Sequence, residues 1–214
     1  MSDFVFKSGN DNNHSNCIQF DTSLSMESGT IVYISSHYRN EPCFVERITN
    51  SGSELVQTIN VDVTEEVPEN MYFNLQAGDD GYLWLCGFYD NTFKIIKYKK
   101  PDFSLKKAIL SDKEIEKKWD RTDYDWEQEV LQEMKNNNGR LYVIYGGSYN
   151  KSGIWIWDSN TFELIGNVDF TNYTSVEFED CEIYINHFYL FVLDNYILRF
   201  NHDNLLSSCR TKRF

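Results

Sequence analysis

Proline is scarce in this sequence, and long apolar runs are absent. Only 3 of the 214 residues are proline, so few positions interrupt regular backbone hydrogen bonding. The longest nearly apolar stretch, 188–200, contains Asp194, Asn195 and Arg199, and it is shorter than the ~20 apolar residues that a membrane-spanning helix needs. Residues 1–16 lack the basic and apolar regions of a signal peptide. We therefore expect no membrane span and a cytoplasmic location.

Cysteine and histidine lack the spacing of a metal site or a disulfide framework. The 5 cysteines form no CxxC pair, and the 4 histidines lie far apart in the sequence. This pattern favours reduced structural thiols, and we predict no metal site and no cofactor. Neither a GxSxG nor a GxxxxGK[ST] motif is present, so no catalytic residue is assigned.

Basic residues are outnumbered, and they are unevenly distributed. Lys and Arg total 20 against 33 Asp and Glu, a formal net charge of −13, which argues against duplex nucleic acid as the main partner. Residues 94–118 nevertheless hold nine of the thirteen lysines and only four acidic residues. The segment therefore carries a local charge of +5 and the rest of the chain −18. Two interpretations of this separation are open. The lysines protect exposed strands beside an acidic body, which is the favoured interpretation, or the segment binds an anionic partner while the acidic remainder binds a basic one.

Aromatic residues are abundant, and the hydrophobic pattern has a period of two. Aromatics make up 16% of the chain. Short runs rich in Ile, Val, Tyr, Phe and Trp alternate with Gly, Asn, Asp and Ser, in sets spaced roughly 40–60 residues apart, which is the range of propeller blades. We predict a single all-β domain over 1–214: a β-propeller-like array of about four antiparallel blades. A β-sandwich built from the same strands is the alternative.

Two short motifs carry a family resemblance. The stretch Asp79-Asp80-Gly81-Tyr82-Leu83-Trp84-Leu85 resembles the Asp-Gly-x-Leu-Trp-Ile element of sensor-type β-propellers. The stretch Ile154-Trp155-Ile156-Trp157-Asp158, followed by Ser-Asn-Thr, is similar to the strand and turn of WD-like blades. The resemblance implies a propeller architecture over three or four blades, and it assigns no catalytic residue.

The apolar pattern of individual strands predicts where they lie in a sheet. In 153–158, Ile154 and Ile156 alternate with Trp155 and Trp157, so both faces of this strand are expected to be buried between two sheets. In 94–100, lysines occupy both faces, which predicts an outer edge strand.

One segment, 112–135, departs from the period of two. Its apolar residues recur at intervals of four and seven, which predicts a helical insertion with one apolar stripe. Ser111 or Asp112 is a suitable N-cap, and 136–139 provides a stop. The stripe consists of Ile115, Trp119, Trp126, Val130 and Met134.

The same insertion supplies the predicted binding surface. Its acidic side chains are expected to face solvent, and its aromatic side chains either join the core or anchor a partner. The predicted binding residues are Trp119, Asp123, Tyr124, Asp125, Trp126, Glu127, Glu129 and Glu133.

Two classes of function remain open from the sequence. The first is a non-enzymatic protein–protein interaction module, and its narrower form is an acidic inhibitor or immunity-type protein that covers a basic partner. The second is an enzyme that acts on a glycan or another small polar molecule, with acidic residues lining a central propeller pocket. The lack of a catalytic signature favours the first class.

Overall fold

The computed structural model describes ten stretches of the chain, and strands dominate them. In these stretches there are sixteen strands and one helix of 6 residues, so the all-β prediction is confirmed. The described stretches are 15–21, 29–36, 42–61, 73–77, 81–89, 92–120, 131–146, 152–170, 178–192 and 196–207.

The strands follow one another at short intervals along the chain. The first half contains β1 (Ser15–Asp21), β2 (Thr30–Ser36), β3 (Cys43–Thr49), β4 (Gly52–Val61), β5 (Phe73–Ala77), β6 (Tyr82–Tyr89), β7 (Thr92–Lys99), β8 (Lys107–Leu110) and β9 (Lys113–Asp120). The second half contains β10 (Leu131–Asn137), β11 (Arg140–Gly146), β12 (Ser152–Asp158), β13 (Leu164–Asp169), β14 (Phe178–Tyr184), β15 (His187–Val192), β16 (Tyr196–Asn201) and α1 (His202–Ser207).

Within the described stretches, these strands form four sheets. The first sheet has the order β1-β2-β3-β4-β8, the second β5-β6-β7-β9, the third β10-β11-β12-β13 and the fourth β14-β15-β16. Neighbouring strands are antiparallel in every recorded pair except β4 and β8, which run parallel. Each sheet is therefore mainly an up-and-down meander of strands that are close in sequence.

The sheets pack face to face in chain order. A first core cluster joins the first and second sheets, with Tyr33 and Ile59 packed against Leu85 and Tyr98. A second core cluster joins the second and third sheets, and a third joins the third and fourth. The second and third sheets therefore bury apolar side chains on both faces, as strands enclosed between two sheets must.

Strand β12 shows how the sequence produces this packing. Trp155 and Trp157 belong to the second core cluster, and Ile154 and Ile156 belong to the third. All four side chains are buried. Since successive side chains of a strand point to opposite faces, this confirms the prediction of double burial.

Strand β7 is not an edge strand, although its lysines predict one. It pairs with β6 on one side and β9 on the other. Its apolar side chains divide between both faces, with Phe93 in the second core cluster and Tyr98 in the first. Lys94 is buried, and its Nζ lies 3.8 Å from Glu116 Oε1 on β9. A lysine stem can run along apolar surface while its charge meets an acid, so lysine alone does not mark an edge.

The predicted helical insertion is wrong where the structure describes it. Residues 113–120 form β9, and 131–135 belong to β10. The interval of four from Ile115 to Trp119 fits one face of a helix, but it equally fits one face of a strand. Asn138 and Gly139, with φ of 49° and 75°, form the two-residue turn between β10 and β11 rather than a helix stop.

The chain crosses between the first two sheets at β8. After β7 it adds β8 to the first sheet and then returns as β9 to the second. The Gln57 side chain donates to the carbonyl oxygens of Asp102 and Leu105, both at 2.8 Å, and so holds the crossing segment on the first sheet.

The first strands of the four sheets lie together. Strand β5 contacts both β1 and β10, and β14 contacts both β10 and β1. The first strands β1, β5, β10 and β14 of the four sheets therefore contact one another in sequence, and we call them the inner strands.

Candidate functional site

Trp119 packs against the core cluster between the second and third sheets. It is half-buried on β9, and its ring centroid is 5.8 Å from those of both Phe93 and Trp157. These rings belong to the interface between the second and third sheets. Its aromatic surface is therefore used in part for packing, and its assignment as a binding residue stays a prediction.

Glu133 is buried, which corrects the expectation that it faces solvent. Its residue exposure is 1%, and it lies on the inner strand β10 opposite Ile144. Among the charged groups nearby is Lys135 on the same strand, whose pKa Glu133 helps to raise. A buried carboxylate next to a lysine supports the fold and is not available to a protein partner.

The other predicted binding residues lie outside the described residues. They belong to the connection between β9 and β10, so their assignment stays a prediction. They are Asp123, Tyr124, Asp125, Trp126, Glu127 and Glu129.

A cluster of charged residues joins the inner strands of the third and fourth sheets. Lys135 Nζ on β10 lies 2.9 Å from Glu182 Oε2 on β14, and the lysine side chain is 5% exposed. Burial alone would lower the pKa of Lys135, but the charge of Glu182 and the hydrogen bond to it raise the pKa above its usual value. The ammonium is therefore kept charged inside the protein by its acidic neighbours.

Asp180, on the same inner strand β14, has a perturbed carboxyl group. Burial raises its pKa from 3.8 to about 6, although the backbone N–H of Cys181 donates to it at 2.6 Å and Lys135 favours ionisation. Burial and the nearby carboxylates also raise the pKa of the Cys181 thiol well above its ordinary value. The thiol is thus protonated and a poor nucleophile, whereas Asp180 can exchange a proton near neutral pH.

A second buried ion pair lies between the first two sheets. Lys100 Nζ is 2.9 Å from Asp21 Oδ2, and it also lies over the Tyr33 ring, 5.1 Å from the centroid. Burial, together with the charge of Asp21, raises the pKa of the Tyr33 hydroxyl far above its ordinary value. Burial raises the pKa of the nearby Cys43 thiol to about 12. Tyr33 and Cys43 therefore both stay protonated near neutral pH and offer no acid–base chemistry there.

The lysine-rich segment lies on β7, β8 and β9, at the outer part of the first two sheets. On β9, Glu116 is within 4 Å of Lys113 and Lys118, at 3.4 and 2.9 Å. Lys107, the first residue of β8, and Lys106 before it are exposed, and neither forms an ion pair within the described stretches. The positive charge at β8 therefore has no acidic partner among the described residues.

A metal site and a membrane-spanning helix are both absent among the residues whose position is described. No group of three or more His, Cys, Asp or Glu side chains there is arranged to hold a metal ion. No helix there has the length and apolar character needed to cross a membrane.

No pattern in the sequence predicts the cluster of charged residues on the inner strands. Lys135 and Glu182 are 47 positions apart, and no motif links them. The one available signal was that polar residues interrupt strands which otherwise read as apolar, as in 131–137 and 178–184. That signal does not identify which polar residues meet.

Comparisons with known proteins add little to this description. No protein-family model and no curated protein sequence matches the chain. Among solved structures, the chain is similar to the crystal structure of the computationally designed Ika8 protein, with 10% sequence identity and a TM-score of 0.32. The alignment covers 89% of this chain and 73% of that one. A likeness of this size carries no argument, so the candidate sites rest on the geometry of this chain alone.

Proposed function

We propose that this chain is a non-enzymatic protein–protein interaction module built as a β-propeller-like array of four blades. Four small sheets that pack face to face in chain order support the architecture. The meeting of inner strands β1, β5, β10 and β14 supports it further, since propeller blades place their first strands around a central axis. In such an array the connections between blades are the natural contact surface.

The observation that carries the functional proposal is the separation of charge in the folded chain. Most lysines lie on β7 to β9, where Glu114 and Glu116 pair with several of them. The remainder of the chain has an excess of 18 negative charges. A surface of one sign attracts and orients a partner of the other sign, so the partner is a basic protein. An inhibitor or immunity-type protein for that partner is the narrower form of the proposal.

The acidic connection between β9 and β10 is the proposed contact region. It carries Asp123, Asp125, Glu127 and Glu129 together with the aromatic Tyr124 and Trp126, a composition suited to a basic partner with apolar recesses. Of the residues that flank it in the sequence, Trp119 packs against the second core cluster and Glu133 is buried.

The test begins with capture of partners from the native source and proceeds to the purified partner. Titration calorimetry would compare the wild type with the double variant Glu127→Lys/Glu129→Lys. The variant Glu163→Lys/Asp169→Lys is the matched control, because it changes the net charge equally at two exposed acids on and next to β13. We expect the first variant to bind at least about tenfold more weakly and the control to lose much less.

Two outcomes would contradict the proposal. One is an acidic captured partner whose binding does not weaken with added salt, since charge attraction is screened by ions. The other is an equal loss of affinity in the two variants, which would place the contact outside the β9–β10 connection.

The enzyme alternative is favoured by one observation, the carboxyl groups gathered on β10 and β14. A buried carboxyl with a pKa of about 6, such as that of Asp180, has the property of a general acid near neutral pH. The test is hydrolysis of a panel of 4-nitrophenyl glycosides between mildly acidic and neutral pH. Turnover that disappears in Asp180→Asn would support the enzyme, and the absence of turnover across the panel would favour the interaction module.

A further inference from the structure

The edge of β8 presents backbone groups to the outside of the first sheet. Strand β8 is the last strand of that sheet and pairs only with β4 among the described strands. The backbone N–H of Thr58 donates to the Lys106 carbonyl at 3.0 Å, and Thr58 is the register partner of Lys107. In a parallel pair, alternate residues direct both backbone groups to the partner strand. Ala108 therefore faces β4, and the N–H and C=O groups of Lys107 and Ile109 face outward.

The side chains at this edge combine apolar surface and positive charge. Ile109 is 64% exposed, and the neighbouring Leu105 is 50% exposed. Lys106 and Lys107 are exposed beside them, without a recorded acidic partner in the described part of the chain. The outer strand β9 of the second sheet differs, because Glu116 there accepts from Lys118 and Lys113.

We propose that the β8 edge binds an extended acidic segment of another protein, which adds to the first sheet as a further strand. The outward N–H and C=O groups of Lys107 and Ile109 would bond to the backbone of that segment, as in other cases of strand addition. An acidic residue of the segment would lie beside Lys107, and an apolar residue two positions away would cover Ile109. This partner class is opposite in charge to the basic partner proposed above, so the surface is a second and separate one.

The opposing explanation is that the lysines protect the edge from pairing. Lysine on an edge strand does prevent stray association. A purely protective edge, however, has no use for Ile109 and Leu105, whose exposed side chains increase the tendency to associate. The combination of exposed apolar surface and uncompensated charge fits selective pairing with an acidic strand better than general protection.

The experiment uses the full chain and a short labelled peptide in which Glu and Val alternate at every second position with Thr between them, so that one face of the strand carries both side chains. Two further versions carry N-methyl groups on the even-numbered or on the odd-numbered residues, so that charge is kept but one set of backbone donors is removed. Fluorescence anisotropy would measure the binding of each. Because a strand directs alternate N–H groups to each side, we expect one methylated version to lose at least about tenfold in affinity and the other to bind almost as the parent does.

Variants of the protein test the same edge. Lys107→Glu and Ile109→Pro are each expected to weaken binding by at least about tenfold, since the first reverses the charge and the second removes an outward N–H. Lys117→Glu on β9 is the matched control and should change affinity by less than about twofold. Ile109→Pro is interpreted only if its thermal unfolding resembles that of the wild type. If its unfolding differs, Lys107→Glu and the methylated peptides test the proposal without it.

Three outcomes would overturn the proposal. Equal binding of both methylated peptides would show that charge alone holds the peptide. Displacement of the peptide by single-stranded DNA or polyphosphate as readily as by the unlabelled peptide would also show that charge alone holds it. The peptide could also fail to bind while sedimentation shows self-association that Ile109→Pro abolishes. A second copy of this chain would then be the occupant of the edge. The variant Glu127→Lys/Glu129→Lys should leave peptide binding unchanged, so failure here is distinguishable from failure of the proposed function.

Discussion

Lys135 and Glu182 join the inner strands of two sheets through a contact of 2.9 Å between Nζ and Oε2. The lysine side chain is almost fully buried, whereas that of Glu182 is 46% exposed. The pair therefore lies at the border between the third core cluster and solvent. Asp180 and Glu133 lie close enough to contribute to the same electrostatic environment. This cluster makes the contact between the third and fourth sheets sensitive to pH and to changes of charge.

The raised pKa of Asp180 predicts that the contribution of this residue to stability falls as pH rises. Its pKa is about 6 in the folded chain against an ordinary 3.8, so between these values the folded state binds more protons than the unfolded state. The contribution of Asp180 to the free energy of unfolding therefore decreases with pH across that window, and its ionised carboxylate costs up to about 3 kcal/mol above it.

The variant Asp180→Asn tests this dependence by removing the titrating group. Asn retains an oxygen that accepts from the Cys181 N–H. We expect it to raise the free energy of unfolding by about 1–3 kcal/mol at mildly alkaline pH and to change little at pH values below the unfolded pKa. Urea denaturation at several pH values measures the difference. The exposed Glu163→Gln is the control, and a difference that does not vary with pH would contradict the prediction.

The double-sided burial of β12 predicts a large loss of stability on truncation. Trp155 is 3% exposed and packs against Tyr145 and Trp157, with ring centroids 5.8 and 6.0 Å away. Trp155→Ala should lower the free energy of unfolding by about 3–5 kcal/mol, because a cavity remains between the second and third sheets. Urea denaturation checks this value, with Trp155→Phe expected to lose less. An unchanged melting temperature in the alanine variant would show that this interface does not stabilise the fold.

The burial of Glu133 predicts that charge reversal there lowers stability much more than charge reversal at an exposed glutamate. Glu133→Lys places a second positive charge beside Lys135 in a buried position, and it should cost about 3 kcal/mol or more. The same change at exposed Glu163 should alter stability by less than about 1 kcal/mol. Thermal unfolding of both variants is the measurement. Equal melting temperatures would mean that Glu133 faces solvent after all.

The backbone conformation of Ile185, in the turn between β14 and β15, predicts that its replacement by asparagine increases stability. Its φ is 55°, a left-handed conformation that is unfavourable for a β-branched residue, and its side chain is 76% exposed. Ile185→Asn should raise the free energy of unfolding by about 1 kcal/mol, because asparagine tolerates this conformation and little apolar burial is lost. Ile197→Asn, at an exposed isoleucine on β16, is the control and should give no gain. A lower melting temperature for Ile185→Asn than for the wild type would indicate that the isoleucine has a contact of its own.

Strand content and strand faces could be predicted from the sequence. Alternation of Ile and Trp in 154–157 is a local property, since each residue's face follows from the period of two, and the structure agrees. The segment 113–120 was misread because Ile115 and Trp119 are four apart, an interval that helix and strand share. Pairing with β7 resolves that ambiguity, because β9 bonds along its whole length to a strand already in the sheet.

Alternation, turn residues and charge separation were determined by the sequence itself, because each depends on neighbours along the chain. The tertiary structure decided that β8 crosses to the first sheet, that β7 is enclosed despite its lysines, and that Lys135 meets Glu182. It also packed Trp119 against the second core cluster and buried Glu133. These relationships join positions far apart in sequence, and their energies come from burial and from low-dielectric contact between charges. Such terms exist only after the sheets have packed, so no local pattern contains them.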